Sequence, residues 1–458
     1  MISINPKIFR EYDIRGFADV DLTDAVVELI GRAYGTYMKR AGACTVTVGR
    51  DVRLSSPRIH KSLAKGIRST GLNVIDVGQV PTPVLYFSII HFGADGGAMV
   101  TGSHNPIEYN GLKLCKGIES IYGKKIQGLR RMVEERDFTR GDGSLAPQSP
   151  VEAYVKAIKD RIHIKKSLKV VIDAGNGSVG EIVQGLFTDL GCDVIPLFCD
   201  VDGSFPNHLP DPTIPRYMED LKKKVRETKA DLGIGYDGDG DRIGVVDGRG
   251  EIIYADKLLA LFARDVLRRR PGSTIILDVK CSQGLVEDIE AHGGRPLMWK
   301  TGHSLIKSKM KQEDAPLAGE MSGHMFFADD YFGYDDAIYA SGRLLQLLSE
   351  EEASLSEIVA TVPGYYSTPE IRIECTDKDK FRIVKELKDY FRSRYDVIDI
   401  DGVRVLFGDG WGLVRASNTQ PILVLRFEAK TEEHLHQIQR IVIDRLRAYP
   451  AVQLGDLA

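Results

Sequence analysis

Three aspartates stand at every second position in Asp237–Gly238–Asp239–Gly240–Asp241–Arg242, between the apolar runs Leu232–Tyr236 and Ile243–Asp247. The intervening glycines carry no side-chain bulk, so the loop can bend until all three carboxylates face one centre. Clustered hard oxygen ligands suit Mg²⁺ or Ca²⁺. An EF-hand is excluded, because Arg242 stands where that loop needs glycine and Gly248 where it needs glutamate. An Asp-Gly hairpin turn is the structural alternative. It accounts for one such dipeptide but not for three carboxylates followed by an arginine. Three acids also exceed the charge of one divalent ion, which leaves room for Arg242 and for a shared phosphate ligand.

The second constellation, Thr101–Gly102–Ser103–His104–Asn105–Pro106, follows the apolar run Ala98–Met99–Val100. Ser103 is therefore expected on a tight loop at a strand end. It is not a nucleophile elbow, since Thr101 and Asn105 replace the two glycines of G-x-S-x-G. His104, adjacent in sequence, is poorly placed to act as its general base. A serine turn is the structural alternative. Beside a metal site, however, the hydroxyl becomes a phosphoryl acceptor. A phosphoserine carries about −1.5 to −2 charges near neutral pH, which bound Mg²⁺ would stabilise and activate for transfer.

Two further loops offer polar groups. Arg415–Ala416–Ser417–Asn418–Thr419–Gln420–Pro421 combines a guanidinium, hydroxyls, an amide and loop N–H groups, all donors for a phosphate. Gly319–Glu320–Met321–Ser322–Gly323–His324 places Glu320 and Ser322 on the same side of an extended segment, which suits vicinal sugar hydroxyls. Either loop read alone is equally a polar turn. Arg15, Lys113 and His303 carry no signal by themselves beyond a surface charge or a structural contact.

These loops need elements to hold them. An apolar, β-branched run with an acidic residue at or near its end occurs three times, as Thr45–Asp51, Val170–Asp173 and Ile275–Asp278. Each is followed by a helical stretch, then a glycine-led turn into a second run: Gly71–Ile75, Gly191–Ile195 and Gly293–Leu297. Strand, helix, turn and strand predict three similar mixed α/β units. Beyond Pro363 the pattern changes. Alternation at Ile371–Cys375, a charged helix over about 378–395, strands at 403–406, 413–415 and 422–427 and a final amphipathic helix near 431–447 predict a smaller α+β unit. Arg140 to Pro150 reads as a linker, and Glu350 to Glu352 as a solvated helix start.

Composition excludes several classes. At 458 residues the chain exceeds one comfortable core, and 43% hydrophobic with 28% charged residues is globular. The net charge of −4 gives no basic surplus for a nucleic-acid partner. Six scattered cysteines without a CxxC read as free thiols. No apolar run is long enough for a membrane span, and Met1 to Arg10 lacks a signal-peptide core. A cytoplasmic location is the expectation.

Together, TGSHNP, DGDGDR, GEMSGH and RASNTQP, in this order, resemble the α-D-phosphohexomutase superfamily, and most closely its phosphomannomutase/phosphoglucomutase branch. The likeness covers essentially the whole chain. It implies four domains around a central cleft, at 1–149, 150–251, 252–363 and 364–458, each donating one motif. It implies Ser103 as the phosphorylated catalytic serine, with Asp237, Asp239, Asp241 and a Ser103 phosphate oxygen around Mg²⁺, and Arg242 neutralising charge beside them. Glu320 and Ser322 would bind sugar O3 and O4, and Arg415, Ser417, Asn418 and Thr419 the non-reacting phosphate. Tyr12, Lys280 and His324 match further cleft positions. Arg15, Lys113 and His303 match candidates for proton handling, a lysine base requiring a lowered pKa.

The activity implied is interconversion of hexose 1-phosphate and hexose 6-phosphate of mannose or glucose, through a hexose 1,6-bisphosphate that also serves as activator. The intermediate must turn end for end, and a C-terminal unit hinged over the cleft would exclude water meanwhile. A clamp on O3 and O4 does not read C2, so both epimers are expected as substrates. A phosphoglucosamine mutase is the neighbouring alternative, against which Met321 stands where glucosamine enzymes carry glutamine. A serine-dependent metal phosphatase and a non-catalytic sugar-phosphate binder are the others. The partners expected are sugar phosphates, for a monomer or small homo-oligomer.

Overall fold

The β-branched runs become central strands because both of their faces are covered. Thr45–Arg50, Lys169–Asp173 and Thr274–Asp278 are each buried along most of their length. The structure, a computed structural model, describes residues 4–418 and 420–454. In each of the first three units a crossover helix (Ser56–Arg68, Gly180–Asp189 or Gln283–Ala291) leads to a parallel second strand. These strands are Asn73–Gln79, Asp193–Leu197 and Arg295–Trp299.

On its other side each central strand pairs in parallel with the first arm of a hairpin. The arms are Gly96–Val100, Leu232–Tyr236 and Leu317–Gly319. The chain then turns back antiparallel as Tyr109–Lys116, Ile243–Asp247 and Met325–Phe327. The same four-strand order is thus built three times, with extra strands at the edges of the first two sheets. One apolar core runs through these units, joining Tyr86, Val170, Leu259, Leu277 and Ile338 among others.

The fourth sheet is antiparallel throughout. Its strand Gly410–Ala416 shows period-2 partition between two partners. Val414 and Ala416 face helices Lys380–Arg392 and Glu432–Leu446 in the unit's own core. Trp411 and Leu413 face the other way, onto Val279 of the third unit. Arg404 reinforces that contact, donating to the carbonyls of Val279 and Cys281 at 2.8 Å each and stacking 3.7 Å from the Trp411 ring.

The mixed α/β units and the α+β unit are as the sequence predicts, with two local differences. The stretch 140–150 is not purely a linker: Leu145–Pro147 adds a parallel edge strand to Asn73–Gln79. Ser144 starts it by bonding the Asn73 side chain through N and Oγ, pairing that composition does not reveal. Glu350 to Glu352 close a helix instead of starting one. Ala337–Glu350 is a largely buried apolar helix whose last turn they reach, and the next helix begins only at the Ser354/Glu357 capping box. All six cysteines are free thiols. Among the described residues no helix is long and apolar enough to cross a membrane.

Candidate active site

Each of the four motif loops connects two antiparallel strands, and in the first three units it is the same hairpin connection. The acids that end the central strands hold two of these loops. Asp51 Oδ2 accepts from Gly102 N at 3.0 Å, and Asp278 Oδ1 accepts from Met321 N at 3.4 Å. Arg53 clamps the serine loop, donating to the carbonyls of Ser103, Asn105, Pro106 and Tyr109. Within that clamp Ser103 adopts φ +49°, a left-handed conformation that costs a non-glycine residue energy and marks a constrained loop. Gly238 of the second loop lies so close that a Cβ there would stand 2.6 Å from the Ser103 carbonyl oxygen.

This contact brings serine and acids together. Ser103 Oγ donates to Asp237 Oδ2 at 2.7 Å and lies 3.0 Å from His104 Nδ1. Asp237, Asp239 and Asp241 are fully buried, with one oxygen of each within 4.8 Å of the others. Asp237 Oδ1 accepts the backbone N–H groups of Asp241 and Arg242. Asp239 Oδ2 accepts from Thr82 Oγ1 at 2.6 Å and Lys113 Nζ at 2.7 Å, and Lys113 also bonds Asp241. Asp239 Oδ1 and Asp241 Oδ1 have no hydrogen-bond partner in the described protein. Buried oxygens converging without donors are what a divalent cation satisfies, so the residues fit a hard metal ion.

The electrostatics are those of a charge cluster out of water. Burial and the two neighbouring carboxylates push Asp237 well above the usual range. Burial would raise Asp239 too, but the Lys113 ammonium outweighs it and holds that carboxyl far down. Lys113 itself moves opposite to the expectation for a lysine base. Its burial favours the neutral amine, yet Asp239 and Asp241 overcome that and push the ammonium pKa up. The sequence could not show that two acids from another unit would surround it.

Beyond the triad, Arg242 Nε donates to His324 Nε2 at 3.0 Å, and the His324 ring stacks on His303 with centroids 5.6 Å apart. Burial, opposed by Asp335, holds the His303 pKa well below its ordinary value. His104 is lowered by burial and by Arg242 and Arg15. Arg15 donates to Asp13 at 2.6 Å, and to Asn105 Oδ1 at 2.7 Å with that amide turned towards it.

Around Gly302 a second cluster adjoins the first. Glu320 Oε1 accepts from Gly302 N at 2.6 Å and Oε2 accepts from Ser322 Oγ at 3.0 Å. Burial raises the Glu320 pKa, with His324 opposing. Gly302, at φ +132°, packs where a Cβ would meet the Tyr12 ring at 2.7 Å. The Tyr12 hydroxyl donates to the Thr301 carbonyl at 2.8 Å and accepts from Asn418 Nδ2 at 2.7 Å. Arg415 pairs with Asp401, which also accepts from Thr301 N at 3.2 Å. Lys280 pairs with Glu370 at 3.2 Å. Ser417 Oγ accepts from Gln420 N. Thr419 lies outside the described residues.

The sequence-selected side chains thus form two adjoining clusters, meeting at Gly302–His303. Several contributors carried no motif signal: Thr82, Asp335 and Asp401 arrive through tertiary packing alone. Asp51 was legible only as the end of the first repeated run, and Arg53, two residues beyond it, carried no signal. His104, set aside as a base, contacts Ser103 because the loop turns left-handed there.

Family models match the chain in four consecutive pieces. They are described as phosphoglucomutase/phosphomannomutase alpha/beta/alpha domains I, II and III, over 6–140, 152–250 and 254–366, and the C-terminal domain, over 370–445. A phosphomannomutase/phosphoglucomutase of Pseudomonas aeruginosa is 50% identical over 443 residues, covering 96% of each chain. A phosphoglucomutase of Neisseria gonorrhoeae is 44% identical, again with 96% of each chain covered. A crystal structure of a family protein from Burkholderia thailandensis superposes with a TM-score of 0.92 at 43% identity, over 97% of this chain and 98% of that one. Motif order, repeated hairpins and full-length similarity agree, and the chain belongs to the phosphoglucomutase/phosphomannomutase family.

Proposed function

We propose that the chain is a phosphohexomutase interconverting the 1- and 6-phosphates of mannose, glucose or both, with Ser103 as the phosphoryl carrier. The observation that carries this reading is the 2.7 Å bond from Ser103 Oγ to Asp237, which sets an acceptor hydroxyl against a buried triad of acids. Asp237, Asp239 and Asp241, with a phosphate oxygen on Ser103, would hold Mg²⁺. When bound, Mg²⁺ supplies charge neutralisation for phosphoryl transfer.

The remaining work falls to side chains. Arg242 balances excess negative charge beside the triad. Phosphoserine gives its phosphoryl group to a sugar hydroxyl: the Ser103 Oγ–P bond breaks, the sugar O–P bond forms, and the hydroxyl proton leaves. His303, whose burial favours the neutral ring, is the acceptor we favour over Arg15 and Lys113. The resulting hexose 1,6-bisphosphate turns over, and the opposite phosphoryl group returns to Ser103 while a proton returns to the freed sugar oxygen. Added bisphosphate would phosphorylate any Ser103 that had lost its group, and so acts as activator.

Glu320 and Ser322 would take sugar O3 and O4, and Arg415, Ser417, Asn418 and Thr419 the non-reacting phosphate. Tyr12, Lys280 and His324 line the cleft between them. The domain limits 149/150, 251/252 and 363/364 complete this reading, as does a cytoplasmic setting. The test is an assay with glucose 1-phosphate and mannose 1-phosphate separately, with Mg²⁺ and a trace of glucose 1,6-bisphosphate, beside Ser103→Ala. Isomer from either sugar, absent in the variant, is the expected result. Stoichiometric inorganic phosphate would replace the reading by a phosphatase, and turnover of glucosamine 6-phosphate alone by a glucosamine mutase.

A further inference from the structure

Asp335 belongs to none of the four motifs, yet two site histidines meet at its carboxylate. It precedes the helix Ala337–Glu350, bridges to the backbone of Phe326, and is fully buried. Its Oδ1 accepts from Lys307 Nζ at 2.9 Å, an ammonium that also lies 4.1 Å from the Tyr86 ring centroid. Its Oδ2 faces His324 Nδ1 at 3.1 Å and His303 Nδ1 at 3.5 Å. The contacts are close but not aligned as hydrogen bonds, so none of these three atoms has a hydrogen-bond partner among the described residues. Buried polar atoms are rarely left unpaired, and here each has the others as its recourse.

The far edge of His324 fixes where its proton sits. Arg242 Nε–H can only donate, and it points at His324 Nε2 from 3.0 Å. Nε2 is therefore the lone-pair nitrogen, and the ring N–H lies at Nδ1, 3.1 Å from Asp335 Oδ2 and 3.6 Å from Asp241 Oδ1. We infer that Asp335 is a positioning residue for the transfer centre. Its buried carboxylate beside Nδ1 of both rings favours the proton there, by charge and proximity, which turns Nε2 of His324 to Arg242 and leaves Nε2 of His303, 3.4 Å from Ser304 Oγ, as the lone-pair edge. The inference rests on the mutase reading above, in which Arg242 and His303 serve transfer at Ser103. A competing reading is a second cation among Asp241, His324 and Asp335, whose ligand atoms lie within 4.8 Å of one another. That cation would need the Nδ1 lone pair, which moves the proton to Nε2, directly against the Arg242 N–H.

Asp335→Asn keeps the shape but can turn an amide N–H towards the two rings, favouring the wrong tautomer. The expected result is a fall in kcat of about tenfold or more, with KM changed by less than about twofold and phosphate still present on Ser103 by intact mass. Nitrogen-15 spectra of histidine-labelled full-length protein should show His324 protonated at Nδ1 in the wild type and at Nε2 in the variant. A wild-type kcat in the variant, a loss confined to KM, or an Nε2-protonated His324 in the wild type would overturn the inference. Should Asp335→Asn not fold, the wild-type tautomer decides alone. Activity in Ser103→Ala would remove the mutase reading itself. An inactive Ser103→Ala beside a fully active Asp335→Asn would remove only the role of Asp335.

Discussion

The Lys113 ammonium lies 2.7 Å from Oδ2 of Asp239, across the junction of the first and second units, and both side chains are buried. Removing one partner of such a pair leaves a buried charge uncompensated, at a cost of about 3–5 kcal/mol. Lys113→Met should therefore lower stability by that order in chelator-treated protein. A divalent cation replaces part of the missing charge, so Mg²⁺ should raise the melting temperature of the variant more than that of the wild type. Equal Mg²⁺ shifts in thermal melts of the two proteins would refute the idea.

Gly238 touches the serine loop too closely for any side chain. A Cβ 2.6 Å from the Ser103 carbonyl must displace backbone, since neither partner is a flexible side-chain end. Displacements near 1 Å cost on the order of 100-fold in rate where groups must be aligned. Gly238→Ala should lose kcat by about 10- to 100-fold while the circular dichroism spectrum stays native. Wild-type turnover in this variant would show that the loop yields without consequence.

Tyr12 joins three units through one hydroxyl, bonded to Thr301 and Asn418. A typical hydrogen bond contributes about 0.5–1.5 kcal/mol. Tyr12→Phe should raise KM for the sugar phosphate by about two- to tenfold, with kcat nearly unchanged. Steady-state kinetics over a range of substrate concentrations separate the two, and an unaltered KM would argue that the contact plays no part in closing the cleft.

Acid should weaken the attachment at Glu370. Lys280 beside it holds the carboxyl at about 2, below its ordinary 4.5. Because the folded value is depressed, ionised Glu370 stabilises the protein above about pH 4.5, and that contribution fades as pH falls towards 2. Glu370 is exposed, and solvent screening keeps the effect to about 1 kcal/mol. Glu370→Gln should melt below the wild type at pH 7, and the gap should shrink by about half or more by pH 3. A gap independent of pH would mean that the Lys280 pairing contributes nothing.

Much of the site was legible because its chemistry is concentrated in short loops. Spaced acids, a serine at a strand end and a donor-rich turn carry their signal within six or seven residues, and the repeated strands show what frames them. The remainder depends on which segments meet. Asp335 and Thr82 look like any polar residue until folding brings them to the histidines and to Asp239. The direction of the Lys113 shift required the acids of another unit, and the strand Leu145–Pro147 required the exposed edge at Asn73–Gln79. The charge run conceals both the helix end at Glu350 and the start of the next helix at a capping box four residues further on.

The repetition of one hairpin return in three units makes each turn a socket with exchangeable contents. Ser103, the three aspartates and Glu320 occupy equivalent addresses, one set in each unit. On the proposed reading, substitution at Glu320 or Ser322 would redirect the enzyme towards another sugar, while His324 in the same socket belongs with the phosphoryl chemistry. Each hairpin can then change its contents separately, because the same return connection carries all three loops.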